Sequence, residues 1–243
     1  MCIRDSAGYR LKDQFDMEVL GYLSGFKQGT ISSVAGTARV AGDKSGTDPI
    51  VGAAANGLLA SMLIARNSFV SGGAATDSIA THPDGSTGEA TPLEVLNRMA
   101  RLLDQQNVDR DGRWVVIDPV FAEQLNDENS KLLNNDFASG NQDILRNGRI
   151  VSGMVRGFRV YMSNNLPAKG TGPATIDTNG ASANFGVIVG GHDSAVATAS
   201  QVEKVETYRD NDSFADIVRG MHLYGRKVLR PEALVRAHYN IAG

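Results

Sequence analysis

One cysteine, Cys2, stands in 243 residues, so no disulfide framework and no multi-cysteine zinc site is available to this chain. Long apolar runs are also missing, and no stretch approaches the ~20 uninterrupted apolar residues that a bilayer-spanning helix needs. Charge of one sign is scarce as well: 24 basic residues against 27 acidic ones leave a net charge of −3. No overall positive field therefore recruits nucleic acid or anionic lipid. What is present is a composition with 42% hydrophobic residues, enough for a sizeable core, and an excess of glycine, 27 residues. The opening Met-Cys-Ile-Arg-Asp-Ser has neither the apolar centre nor the cleavage site of a signal peptide. It reads as an adapter-derived scar over residues 1–6 and is set aside, which makes the chain look truncated at its start.

Leu11, Phe15, Val19, Tyr22/Leu23 and Phe26 recur at helical spacing and predict an amphipathic helix from Tyr9, punctuated by Gly25 and Gly29. Pro49 to Arg66 predicts a second helix with Leu58, Leu59, Met62 and Leu63 as its apolar face. Ser71 to Ala90, rich in glycine, predicts an exposed loop of about twenty residues, and loops of that length are usually functional. Thr91-Pro92-Leu93-Glu94 is a capping box that opens a helix with Leu93, Leu96, Ala100 and Leu103 as its core stripe, Arg98 and Arg101 lying off it. Arg113 to Ile117 predicts a buried strand, Asp118-Pro119 a turn into a helix through Leu125, and Asn141 to Asn147 a further short helix. Strands at Ile150–Val155 and Phe158–Met162 form a hairpin at Arg156-Gly157, Ala168 to Asn184 is a second soft loop, and Phe185 to Val189 is a buried strand. Asp193 or Ser194 is expected to cap a small helix of alanine and valine. Strands follow at Val202–Tyr208, Ile217–Leu229 and Ala233–Tyr239.

Few residues carry reactive chemistry. His192, Asp193 and Ser194 are the residue types of a hydrolase triad, yet adjacency is the wrong geometry, because triad members converge from separate elements. Asn107-x-Asp109-x-Asp111-Gly112 with Asp118 in twelfth place approaches a calcium loop but lacks the first aspartate and the bidentate glutamate, so it reads as a polar helix-to-strand turn. Gly36 to Ser45 and Gly170-Thr171-Gly172 miss the phosphate-loop and dinucleotide patterns. His82, His222 and His238 have no partner at metal spacing. Arg226, Lys227, Arg230 and Arg236 alternate with apolar residues and read as a solvated strand face, and the sequon Asn211-Asp212-Ser213 has no secretory context. No catalytic, cofactor-binding or metal-binding residue is assigned, and no cofactor is expected.

The order of segments resembles the major capsid protein of tailed bacteriophages (Caudoviricetes), the Hong Kong 97-type fold. The residues that carry it are the acidic helix ending at Leu23-Ser24-Gly25, Arg113-Trp114-Val115-Val116-Ile117-Asp118-Pro119, and Gly157-Phe158-Arg159-Val160-Tyr161-Met162-Ser163-Asn164-Asn165-Leu166-Pro167. Ile188-Val189-Gly190-Gly191-His192, Phe214-Ala215-Asp216, Val218-Arg219-Gly220-Met221 and Val228-Leu229-Arg230-Pro231-Glu232-Ala233-Leu234 complete the set. The resemblance implies an α+β fold with a peripheral domain of residues 7–60 and 200–229 and an axial domain of residues 61–199 and 230–243. It implies a non-enzymatic coat protein that forms homo-oligomers, hexamers and pentamers of an icosahedral shell around double-stranded DNA, with scaffolding and portal proteins as further partners. The virion is the expected location, with assembly in the host bacterial cytoplasm. The family's N-terminal arm and extended loop precede the helix at which this chain begins, so they are expected to be missing. The loops at 71–90 and 168–184 are the candidate neighbour contacts. The alternatives are an encapsulin-like compartment, a hydrolase using His192 or Ser194, and a calcium module at Asn107–Asp118.

Overall fold

Thr91 fixes the best-defined element. In the computed structural model its hydroxyl accepts from the Glu94 N–H at 3.3 Å while the Glu94 carboxylate accepts from the Thr91 N–H at 2.8 Å. Both halves of the capping box are therefore made, with Pro92 at the first helical position. Thr91→Ala should lower the unfolding free energy by about 1 kcal/mol, read as a shift in the urea midpoint at constant slope. The structure describes residues 3–24, 58–73, 78–83, 89–126, 154–166, 168–169, 185–209 and 216–241.

Three helices are described: α1 (Ile3–Ser24), α2 (Pro92–Gln105) and α3 (Pro119–Leu125). The strands are β1 (Leu63–Ile64), β2 (Ile79–Thr81), β3 (Arg113–Ile117), β4 (Met154–Val155), β5 (Phe158–Met162), β6 (Ala168–Lys169), β7 (Phe185–His192), β8 (Val196–Arg209), β9 (Asp216–Val228) and β10 (Leu234–Ile241). Eight of them form one sheet in the order β1-β10-β7-β3-β5-β4, with β2 beside β10 and β6 beside β7. β7 runs antiparallel to both β10 and β3, whereas β3 and β5 are parallel. Val115, Ile117, Val187, Ile188, Val189, Val235, Ala237 and Tyr239 in these central strands are fully buried. Leu93, Leu96, Met99 and Leu103 of α2 complete the same core. Arg156 and Gly157 both take left-handed backbone angles (φ 52° and 85°), which closes the two-residue hairpin between β4 and β5.

The second sheet is a two-stranded ribbon, β8 with β9, and α1 lies against it. The helix uses two faces. Asp13, Met17, Leu20, Leu23 and Ser24 are buried, while Leu11, Phe15 and Tyr22 are half-buried. The apolar stripe read from the sequence thus names mainly the face toward the ribbon, and Met17 and Leu20 belong to a face it did not include. Phe15 meets Tyr224 edge-on at 4.8 Å between ring centroids and His222 at 5.3 Å. Ile3–Ser6, set aside as non-native, continue α1.

Two expected helices are not α-helical where they are described. Of Pro49 to Arg66, residues 49–57 lie outside the described residues, and the rest is a 3₁₀ turn (Ala60–Met62) running into β1. The Leu63–Ile64 backbone is taken up by β10, with Leu63 opposite Arg236 and Ile64 opposite Ala237. The alanine-valine stretch after His192 is a single 3₁₀ turn (Asp193–Ala195) followed by β8, because Ala197 and Ala199 pair with Lys227 and Gly225 of β9. The expected helix Asn141 to Asn147, the glycines at 25 and 29, and residues 150–153 of the first hairpin strand lie outside the described residues.

Candidate functional site

The triad-type residues sit where β7 turns into β8, and their side chains serve the turn. His192 is the cap of the 3₁₀ turn: its Nδ1 accepts from the Ser194 N–H at 3.1 Å and lies 2.8 Å from Ser194 Oγ. Asp193 pairs with Arg159 on β5 at 2.8 Å, and Ser194 Oγ also accepts from Arg230 at 3.4 Å. A hydrolase needs the carboxylate on the far nitrogen of the imidazole; here it is spent on an arginine.

The calcium-like segment is held open by hydrogen bonds of its own. Asp109 Oδ1 accepts from the Asp111 N–H at 3.2 Å, and Asn107 and Gly112 take left-handed angles (φ 53° and 81°). Arg113, 2% exposed, runs back beneath the turn and donates to the carbonyls of Val108 (2.5 Å), Asp109 (2.8 Å) and Ala100 (3.5 Å) and to Asp104 Oδ1 (2.7 Å). Asp104 also takes Arg110 at 3.1 Å, and the hydrogen bonds from Arg113 and Arg110 hold its carboxyl below the usual range. Asp118, the twelfth position, is occupied elsewhere: it caps α3 through the Phe121 N–H (3.0 Å) and accepts from the Tyr239 hydroxyl at 2.5 Å. Burial, and then the charge of Asp118, push the Tyr239 phenol well above its ordinary value, so it stays a donor.

The basic residues of the last strands do not share a solvated face, which corrects their sequence reading. Arg226 points at α1, 2.8 Å from Glu18 and 5.3 Å from the Tyr22 ring centroid; Glu18 also accepts from the Tyr224 hydroxyl. Arg236 is buried on β10 and donates to the Ser24 carbonyl at 2.9 Å, closing the last turn of α1. Arg230 pairs with Glu232 at 2.9 Å, and Lys227 alone of the four is an exposed strand residue without such a role. His222 packs on Phe15 with its Nε2 2.9 Å from Ser200 Oγ, His238 is buried, and His82 is half-buried. Gly36 to Ser45, Gly170-Thr171-Gly172 and Asn211-Asp212-Ser213 lie outside the described residues.

The loop at 71–90 is not exposed throughout. Ile79, Ala80 and Thr81 form a buried strand beside β10, with Thr81 Oγ1 2.7 Å from Gln124 Oε1 and 2.8 Å from the Asn240 carbonyl; residues 74–77 and 84–88 lie outside the described residues. Of the loop at 168–184, Ala168–Lys169 pairs with β7 and the remainder lies outside them. A hollow of about 350 Å³ between Phe69, Glu89, Glu94, Asn97, Arg98 and Arg101 is lined by both signs of charge: Arg66 neutralises Glu89 at 2.6 Å, and Arg98 stacks on Phe69 at 4.8 Å.

Among the described residues, one broad exposed surface is the face of β8–β9 turned away from α1. His222, Tyr224 and Arg226 are half-buried toward the helix, whereas Met221, Leu223, Gly225 and Lys227 between them are exposed. Gly220 lets α1 approach, since a Cβ there would lie 2.5 Å from Leu11 Cδ1. On the outer side Met221 and Leu223 are 58% and 54% exposed beside a charge ladder in which Glu206 takes both Lys204 and Arg219. Those two cations hold the Glu206 carboxyl below its ordinary value.

These features describe a structural subunit: polar groups that resemble a reactive site brace backbone, and the conspicuous exposed surface is a sheet face. Residues 30–237 match the family model described as phage capsid protein, and the chain belongs to that family. It is similar in fold to a solved structure from Mycobacterium phage Che8 (TM-score 0.57, 24% identity), covering 96% of this chain and 61% of that one. It is likewise similar to a chain of the asymmetric unit of the bacteriophage PhiM1 mature capsid (TM-score 0.53, 19% identity), covering 96% and 62%. The chain thus spans about three fifths of the length of the chains it matches. No curated protein sequence matches it. The α+β arrangement expected as the Hong Kong 97-type capsid fold is the fold of this chain.

Proposed function

We propose that this capsid protein is the shell-forming body of the icosahedral head of a tailed double-stranded DNA phage, assembling with copies of itself as hexamers and pentamers. The observation that carries the reading is the family match over residues 30–237. In this reading α1 with the β8–β9 ribbon forms the peripheral domain (residues 7–60 and 200–229) and the eight-stranded sheet forms the axial domain (residues 61–199 and 230–243). Its role is structural, without catalysis. Packaged DNA is met by proximity rather than by a basic surface, in keeping with the net charge of −3. Assembly takes place in the bacterial cytoplasm with scaffolding and portal proteins as partners, and the product resides in the virion. Many weak contacts repeated by symmetry hold such a shell.

Electron microscopy and sedimentation velocity of the expressed protein test this. Closed shells or capsomer rings are the expected result; a strictly monomeric protein at every concentration overturns it.

A further inference from the structure

We propose that the hollow beside α2 is a binding site for a small phosphate-class oxyanion, held between Arg98 and Arg101 with the Asn97 amide at its rim. The proposal goes beyond the shell reading above and stands apart from it.

The cationic wall follows from the sequence. Glu94, Asn97, Arg98 and Arg101 recur at three- and four-residue spacing and form a polar stripe of α2 away from its core stripe. Arg98 and Arg101 are about one turn apart, so their Cβ atoms lie about 5–6 Å from each other. The facing wall is Phe69, placed by a turn in which its N–H donates to the Arg66 carbonyl at 3.0 Å. Between the walls is a space of about 350 Å³, at the small end of the roughly 300–1,000 Å³ of ligand pockets.

The carboxylates that line the hollow are committed to other groups. Glu89 accepts from Arg66 Nε on one oxygen (2.6 Å) and from the Ala80 N–H on the other (3.3 Å). Glu94 accepts from the Thr91 N–H at 2.8 Å as half of the capping box. Glu94 and Arg98 have the spacing of a favourable helix ion pair, yet the Arg98 guanidinium lies on Phe69, 4.8 Å from the ring centroid. Among the described residues, no ion pair joins Arg98 or Arg101 to a carboxylate.

Stacking occupies the flat face of the Arg98 guanidinium and leaves its N–H edge for an acceptor. Burial, and then the like charge of Arg101, hold that guanidinium below its ordinary value, while Glu94 offsets part of the shift. An anion between the two arginines removes their repulsion. With Arg66 spent on Glu89, two arginines remain against Glu94, so the hollow favours an anion over a cation. Two planar forks and an amide donate from three directions, which suits a tetrahedral phosphate better than the two coplanar oxygens of a carboxylate. A single pair of arginines in a hollow is not the basic stripe that tracks a duplex, so the ligand is a free phosphate or a phosphate monoester.

The test titrates inorganic phosphate into the full chain against chloride of equal ionic strength, followed by calorimetry and melting temperature. One phosphate per chain should bind saturably and raise the melting temperature where chloride does not. Arg98→Gln and Arg101→Gln should each weaken binding about tenfold or more, whereas Lys227→Gln, which removes a charge from the ribbon, should leave it unchanged. Arg101 is exposed, so its variant keeps the test sound even where Arg98→Gln lowers the melting temperature. Glu94→Gln retains a capping side chain and removes a neighbouring negative charge, so it should tighten binding about twofold or more, a gain that a purely structural role does not produce. Phosphate that binds no better than chloride, acetate that binds as tightly as phosphate, a duplex oligonucleotide that displaces phosphate from the two arginines, or glutamine variants that bind like the parent each overturn the proposal. None of these readouts needs a shell, so each leaves the capsid reading intact.

Discussion

Arg113→Ala should destabilise the protein by about 3–5 kcal/mol, read by urea or thermal unfolding, because it removes a buried cation on which four acceptors depend. Its guanidinium fills the hollow under the turn from α2 to β3, and the carbonyls of Ala100, Val108 and Asp109 all aim at it. Alanine leaves those carbonyls facing a cavity and takes from Asp104 one of its two cations. Arg113→Lys should recover only part of the loss, since an ammonium lacks the planar fork that meets several acceptors at once. The variant also changes the response to acid. Asp104 has a depressed folded-state pKa, so its contribution is present above the unfolded value near 3.8 and is lost as pH falls through the folded value. Removing Arg113 abolishes much of that depression, and the stability difference between variant and parent should narrow below about pH 4.

Gly186→Val should have an effect of similar size for the opposite reason, too much volume. A Cβ at Gly186 would stand 2.5 Å from Tyr239 Cε1 and 2.9 Å from its hydroxyl oxygen. The ring has nowhere to retreat: it is fully buried, edge-on to Phe121 at 5.1 Å, with its hydroxyl on Asp118. Overpacking of about 1–3 kcal/mol adds to the loss of a hydrogen bond to a charged acceptor, about 1.5–3 kcal/mol. Tyr239→Phe should show the second component alone. If Gly186→Val combined with Tyr239→Phe is as unstable as the sum of both changes, the two residues are not coupled through the ring.

The elements that announced themselves in the sequence are those whose signals are local. Thr91-Pro92-Leu93-Glu94 and Asp118-Pro119 contain their own caps, and both helices start where those residues stand. The valine-rich strands β3 and β7 were legible from their short apolar runs between turn signals. What escaped was decided by partners far along the chain. The alanines at 195–199 favour a helix by propensity, and pairing with β9 overrides it. Leu63–Ile64 looked like the end of a helix until β10 took up its backbone. Arg226 and Arg236 looked solvated because alternation shows which face a residue occupies and not whether a helix covers that face. The Asp118–Tyr239 pair joins residues 121 positions apart, and no local pattern announces it. The candidate surface was half legible: alternation marked β8 and β9 as strands, but only the covering of one face by α1 identified the other as open.

The position of β10 also governs when this protein is able to fold. It lies in the sheet between β7 and the strands β1 and β2, and Arg236 on it closes α1 at Ser24. Residues 63 and 79 therefore wait for residues 236 and 239 before their strands find a partner. On the ribosome, α1, β1 and β2 emerge well before the strand that joins them, so the large sheet closes as a late event and its closing contacts are slow, long-range ones. A subunit whose sheet closes through a strand made so long after the strands it joins does not offer a finished surface to its neighbours until that strand has been synthesised.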